Sequence, residues 1–352
     1  MKELAADIAR WRARGERFVV ATVVGARRSA PRPIGSKLLV SESGELAGSV
    51  SGGCIESDVF GEAREVLAGL EPRLLCYGIS DELAATVGLP CGGEIDVFVE
   101  ESPGPLVERL LQAAERGERA VHLTVIEGPR IGAEAVVLDG GEVLGDTALA
   151  PLAAGLYGGK SRVLDLEDGG RAFAEVYGPP PRVLAFGAID TAESLCAAAK
   201  LLGWRTVVVD ARARFATPER LPSADEIVIG WPDEALPQLS PGPDDAIVVL
   251  THEERFDVPA LAGALASDAF YIGALGSRVA QASRRERLLE AGVTEEALAR
   301  LHGPCGLDLG AESPAETAVS ILTEIMAARA ERPGGPLRER AGGVRSQPAT
   351  AS

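Results

Sequence analysis

Two cysteines stand beside paired glycines. Gly48-Ser49-Val50-Ser51-Gly52-Gly53-Cys54 leads straight into a segment of helical periodicity, and Gly88-Leu89-Pro90-Cys91-Gly92-Gly93-Glu94 repeats the setting further along the chain. A thiol at a helix N-terminus faces free N–H groups and the positive end of the helix dipole, which favour the thiolate that attacks or ligates. Glycines beside it let a bulky ligand come close to the backbone, while Glu56 and Asp58 in the first turn oppose a lowered thiol pKa. The plainer alternative is a strand-to-helix turn with a buried thiol. A zinc site needs four ligands with local pair spacing, and only Cys76 and His122 remain nearby, so no metal held by protein ligands alone is expected. Cys76, inside the apolar RLLCY, and Cys196, inside an Ala-rich helix, read as core residues.

The second half places polar residues at the ends of apolar runs. Phe186-Gly187-Ala188-Ile189-Asp190 has only the first glycine of a GxGxxG fingerprint, and Ile189 stands where a pyrophosphate would approach. Asp210 ends the next apolar run, where an acid can hold ribose hydroxyls or cap a turn. Thr251-His252 and Gly276-Ser277-Arg278 follow two further runs, and a Gly-Ser turn opening a helix can present N–H groups to phosphate. Gly303-Pro304-Cys305-Gly306-Leu307-Asp308 supplies exposed backbone and an acid able to bind a heterocycle. Ser313 and Glu316 then form a capping box.

The elements that must position these residues fall into two patterns. Leu4, Ile8 and Trp11 share one face of an N-terminal helix. From Phe18, short β segments (FVVATVV, KLLV, ELAGSV) precede a helix from Ile55, and RLLCY, EIDVFVE, AVHLTVI, AEAVVLD and RVLDL follow, with a helix over Leu106 to Arg116. This predicts a mixed α+β domain over residues 1–178. Gly178-Pro179-Pro180-Pro181 is stiff and poor in donors, and reads as a linker. Beyond it, RVLAFG, TVVVDA, EIVIGW, AIVVLTH and FYIGAL alternate with helices, so residues 179–330 are expected to form a Rossmann-like, doubly wound parallel-sheet α/β domain. Residues 331–352 lack periodicity and read as a disordered tail.

Composition excludes several classes. The 352 residues carry 35 Lys and Arg against 52 Asp and Glu, a net charge of −17, which disfavours nucleic acid and anionic membrane surfaces. No stretch is long and apolar enough to span a bilayer, and the N-terminus lacks the apolar core of a signal peptide. A cytoplasmic protein is therefore expected, and as a reducing compartment disfavours disulfides, its five cysteines, which form no CxxC pair, are expected as thiols.

Seven collinear segments then carry a resemblance: SAPRPIGSKLLV (29–40), GSVSGGCIESDV (48–59), VGLPCGGEIDVFVE (87–100), PPPRVLAFGA (179–188), VVLTHEERFD (248–257), YIGALGSR (271–278) and GPCGLDLGAESPAETAVSILTEI (303–325). Together they resemble the XdhC/CoxI family, the xanthine dehydrogenase accessory factors, over nearly the whole chain to about residue 330. The resemblance implies a molybdenum cofactor chaperone more than a turnover enzyme. Such a protein binds molybdopterin or its dinucleotide form, protects it while a cysteine desulfurase helps install the terminal sulfur, and passes it to an apo molybdenum hydroxylase of the xanthine or carbon monoxide dehydrogenase type. By matching motif, Cys54 and Cys91, with Ser51, Gly52, Gly53 and Gly92 around them, would lie near the cofactor's molybdenum or its sulfur. Gly187, Asp190, Asp210, Thr251, His252, Gly276, Ser277, Arg278 and Asp308 would take the pterin phosphate or the nucleotide. The sequence departs from the family at Ile189-Asp190, where many members have glycine then histidine. Two other readings fit the same residues: an NAD(P)-dependent oxidoreductase on the C-terminal half, indifferent to Cys54→Ala, and a nonenzymatic adaptor between desulfurase and hydroxylase. A homodimer is the default oligomer.

Overall fold

Strand β1 (Phe18–Arg27) shows why the first half folds as it does. Its odd residues Val19, Ala21 and Val23 and its even residues Val20, Thr22 and Val24 are all buried, so a layer must cover each face. The computed structural model describes residues 2–27, 30, 32–78, 93–101 and 104–339. By contacts the chain divides into a first unit of residues 1–179 with 337–352, and a second of 180–336.

The first unit opens with α1 (Ala5–Ala13), which buries Ile8 and Trp11 against Phe18, Val20 and Leu39. Strand β1 pairs with β2 (Lys37–Ser41) on one side and β5 (Glu94–Glu101) on the other, with β3 (Leu46–Gly48) and β4 (Arg73–Tyr77) at the edges. This antiparallel sheet has the order β3-β2-β1-β5-β4. Helix α2 (Glu56–Leu67) lays Val59, Ala63, Val66 and Leu67 on its odd-residue face. After α3 (Gly104–Arg116), strands β6 (Ala120–Glu127), β7 (Glu134–Leu138), β8 (Val143–Gly145), β9 (Arg162–Asp165) and β10 (Arg171–Tyr177) form a second antiparallel sheet, ordered β8-β7-β6-β10-β9. A 3-10 segment, Thr147–Ala153, covers it where α2 covers the first. The opposite faces meet beyond the ends covered by α1 and α3, with Val24 and Phe98 packed on Ile126 and Phe173.

The two sheets are copies of one unit. Thr22 pairs with Lys37 and Phe98, and Thr124 pairs with Glu134 and Phe173. Val20 faces Glu100 as His122 faces Glu175. Gly48 and Gly145 both have positive φ, +82° and +90°, and a Cβ on either would lie 2.2 or 2.3 Å from the carbonyl oxygen of Lys37 or Glu134. Neither this repeat nor strands β8 and β10 were foreseen from the sequence. Cys76 is a correction: it is exposed on the edge strand β4, not in the core.

In the second unit, β11 (Arg182–Phe186), β12 (Arg205–Asp210), β13 (Glu226–Ile229), β14 (Asp245–Val249), β15 (Tyr271–Ala274) and the two-residue β16 (Leu301–His302) form one parallel sheet, ordered β13-β12-β11-β14-β15-β16. Its continuously apolar strands are covered on both faces, as a doubly wound sheet requires. Helices α4 (Asp190–Leu201) and α9 (Pro314–Arg329) cover one face. On the other lie α5 (Pro232–Leu239), α6 (Glu254–Leu265) and α7 (Arg278–Glu290), with the short α8 (Glu295–Leu298). The capping box of Ser313 and Glu316 starts α9. Of the expected tail, Leu337–Glu339 form a 3-10 turn and residues 340–352 lie outside the described residues.

Candidate functional site

The loop before α2 is built around one carboxylate. Glu56, the first residue of that helix, turns back into the loop and accepts from Ser49 Oγ at 2.6 Å, Ser51 N at 2.9 Å, Ser51 Oγ at 2.5 Å, Gly52 N at 2.9 Å and Gly53 N at 2.8 Å. Ser51 Oγ in turn accepts from Cys54 N and Ile55 N. Burial alone would raise the Glu56 pKa, but the Ser49 and Ser51 hydroxyls and the loop amides outweigh it and hold the carboxyl well below its usual range. The amides of Ser51, Gly52, Gly53, Cys54 and Ile55, just before the helix, are therefore already engaged.

What the loop presents outward is a thiol. Cys54 is exposed, and Gly52 and Gly53 beside it have φ of +85° and +115° with no atom within 4 Å of where a Cβ would stand. A large ligand can thus reach the thiol and the backbone next to it. The corresponding loop of the second copy, from Asp146, has no cysteine: Asp146 accepts from Ala148 N and caps the 3-10 segment. Cys91 and Gly92 lie outside the described residues. Among the described residues, no group of three His, Cys, Asp or Glu is placed to hold a metal ion.

The second set of expected residues gathers at the carboxyl ends of the parallel strands. The order reverses between β11 and β14, which makes their ends the ligand crevice of such sheets. Gly187 fits there because a Cβ would stand 2.5 Å from Thr251 Cγ2, and Gly276 lies beside His252. His252 and Arg278 are exposed, as is Asp308. Several side chains are already engaged. Asp210 accepts from Ala188 N at 2.8 Å and from both Arg212 Nε at 2.9 Å and Arg212 Nη2 at 2.7 Å. Although burial opposes it, Arg212 and these amides keep the Asp210 carboxyl ionised, below its usual range. Thr251 Oγ1 donates to Asp257, which the buried Arg284 also holds at 2.8 Å. Ser277 caps α7, and Asp190 is exposed, 3.8 Å from Arg220.

The hub of the Gly303–Asp308 segment was not foreseen from the sequence. Glu324 on α9 accepts from Gly306 N at 2.6 Å and Tyr271 Oη at 2.5 Å, and lies 3.1 Å from His302 Nδ1. Cys305 beside it is buried, which pushes its thiol up to about 12, and burial pushes Cys196 up to about 11. The spacing of Glu324 along α9 gave no sign of this, because it falls on the helix's loop-facing side only once the loop is folded.

A duplicated antiparallel unit that displays one thiol on a pinned glycine loop, followed by a Rossmann unit with its crevice at the strand ends, defines the class. The XdhC and CoxI family matches residues 11–78, and the XdhC Rossmann domain matches residues 183–325. The chain belongs to this family. It is similar to a protein of Bacillus subtilis (strain 168) named as a probable subunit of xanthine dehydrogenase, 29% identical over 320 residues that cover 89% of this chain and 94% of that one. It is 26% identical over 317 residues to the molybdenum cofactor insertion chaperone PaoD of Escherichia coli (strain K12), covering 90% of this chain and 84% of that one. The crystal structure of a xanthine dehydrogenase from Bacillus halodurans matches 94% of this chain and 97% of its own with a TM-score of 0.71 at 26% identity.

Proposed function

We propose that this protein is an accessory factor of a molybdenum hydroxylase, carrying molybdenum cofactor as cargo and handing it to the apoenzyme. The observation that carries the reading is the exposed Cys54 on a loop whose Ser51, Gly52 and Gly53 amides are held by Glu56. A soft sulfur donor suits molybdenum and its terminal sulfur, and open glycine backbone suits a bulky dithiolene ligand. The names of the relatives, one an insertion chaperone and one a probable component of a dehydrogenase, support the same direction. In this reading Cys54 lies at the molybdenum or its sulfur, and the open backbone of Gly52 and Gly53 makes room for it. The crevice at Gly187, His252, Gly276 and Arg278 is a phosphate-binding candidate of the second unit by itself, and a cysteine desulfurase supplies sulfur to the held cofactor. The nicotinamide alternative finds no support in Asp210, whose carboxylate oxygens already serve Ala188 and Arg212.

The test is the molybdenum and pterin content of protein purified anaerobically after co-expression with cofactor biosynthesis, wild type against Cys54→Ala. Retention by wild type and loss by the variant is expected. Equal retention moves the anchor to the phosphate crevice, and absence from both overturns the cargo role.

A further inference from the structure

The meeting face of the two sheets in the first unit holds an unusual set of buried ionisable groups. Lys37 Nζ, from β2, donates to Thr22 Oγ1 at 3.1 Å and to Glu175 Oε2, from β10, at 2.7 Å. Its counterpart in the second copy is Glu134, on β7, and the counterpart of Glu175 is Glu100, on β5. One crossing of the pseudo-twofold is thus an ion pair, and the other brings two carboxyls together. His122 Nε2, from β6, lies 2.7 Å from Glu134 Oε2. All of these side chains are buried.

Glu100 Oε2 meets no donor. The groups facing it are the Glu134 carboxyl within hydrogen-bonding reach, the Lys37 ammonium and the Glu175 carboxylate. Thr22, Thr124 and His122 complete the lining, with Tyr177 beyond Glu175. The space left among them is about 10 Å³, room for one water at most. That excludes a hydrated ion or an organic ligand. Two charged carboxylates in contact at such a dry face repel, and a single proton between them converts the repulsion into a charge-assisted hydrogen bond.

We propose that Glu100 and Glu134 form a buried proton-binding site that replaces, in the second crossing, the lysine of the first, and that losing this proton loosens the two halves of the unit. Burial, the Glu134 carboxylate and the Glu175 carboxylate all raise the Glu100 pKa, and Lys37 only partly opposes them. The folded state therefore keeps a proton that the unfolded chain releases near the ordinary glutamate value. Between that value and the folded one, stability must fall as pH rises. Lys37 links this face to the thiol loop, because its carbonyl accepts Ser49 N at 2.8 Å. This inference rests on the repeat and its registers, and does not depend on the cargo reading.

The experiment is denaturant unfolding of the full chain across pH for wild type, Glu100→Gln and the symmetrising double variant His122→Val with Glu134→Lys. Relative to Glu100→Gln, wild type is expected to lose tenfold in its folding equilibrium constant per pH unit within the window. The double variant is expected to follow Glu100→Gln, since its lysine pairs with an ionised Glu100. An infrared difference spectrum of wild type against Glu100→Gln, taken just above the ordinary glutamate value where the folded state keeps its proton, is expected to show one protonated carboxyl. Parallel pH curves for wild type and Glu100→Gln, or no protonated carboxyl, would overturn the proposal even if the double variant fails to fold.

Discussion

Lys37 and Glu175 lie 2.7 Å apart between the two sheets, with only 3% and 10% of their side chains exposed, and this pair joins the two copies of the repeat beside their apolar contacts. Lys37 also draws the Glu175 carboxyl down, against the effect of burial. Lys37→Met leaves a buried acid without its partner and is expected to cost about 3–5 kcal/mol. Replacing both, Lys37→Met with Glu175→Leu, is expected to recover most of the loss, measured by urea unfolding.

The pinned loop has its own pH signature. The folded-state pKa of Glu56 is depressed, so its contribution is complete above the ordinary glutamate value and is lost as pH falls below it. Glu56→Gln is expected to lower stability by about 1–3 kcal/mol at pH 7. Melting curves at pH 7 and at pH 3 should show that deficit shrinking in acid; a deficit that stays constant would mean the carboxylate charge is not what holds the loop.

Thiol accessibility separates the cysteines. Cys54 and Cys76 are exposed, whereas Cys196 and Cys305 are buried with raised thiol pKa values. Native protein treated with iodoacetamide at pH 7.5, a pH of about one unit below the free thiol value, is expected to be modified at Cys54 and Cys76 and spared at Cys196 and Cys305. Burial and the neighbouring Asp96 raise the Cys76 thiol, so its labelling should be the slow one of the exposed pair when pH is lowered. Peptide mass spectrometry after quenching reads the result.

The repeat predicts matched costs at equivalent glycines. Gly48→Ala and Gly145→Ala each force a Cβ onto a carbonyl oxygen at positive φ, and each is expected to destabilise by more than about 2 kcal/mol. Gly141→Ala, with φ of +87° but open space around it, should cost about 1 kcal/mol. Thermal unfolding of the three variants checks this; a Gly145→Ala variant as mild as Gly141→Ala would break the equivalence of the two turns.

Much of the second unit was legible because its signals are local. Ala246 to Leu250 is apolar throughout, as a strand covered on both faces must be, and Ser313 with Glu316 marks a helix start within four residues. The loop at Gly52, Gly53 and Cys54 was legible for the same reason. The repeat was hidden by unequal connections: the offset is 102 residues between Thr22 and Thr124 but 75 between Phe98 and Phe173. VVATVV beside VHLTVI, and GELAGS beside GEVLGD, were the signals that could have found it. β10 escaped because Glu175 interrupts its apolar face, and that glutamate makes sense only opposite Lys37. Cys76 was misplaced because apolar neighbours say nothing about which strand ends up at an edge.

The tandem arrangement has a consequence for how such a face can change. Were each copy a separate chain meeting its twin across a true twofold, any substitution would enter both crossings together, and acid in place of Lys37 would bury two carboxyl pairs with no cation between them. Covalent linkage removes that coupling. One copy can keep its lysine and its thiol loop while the other takes Glu134 and a capped turn at Asp146, so asymmetry arises at a symmetric interface one residue at a time.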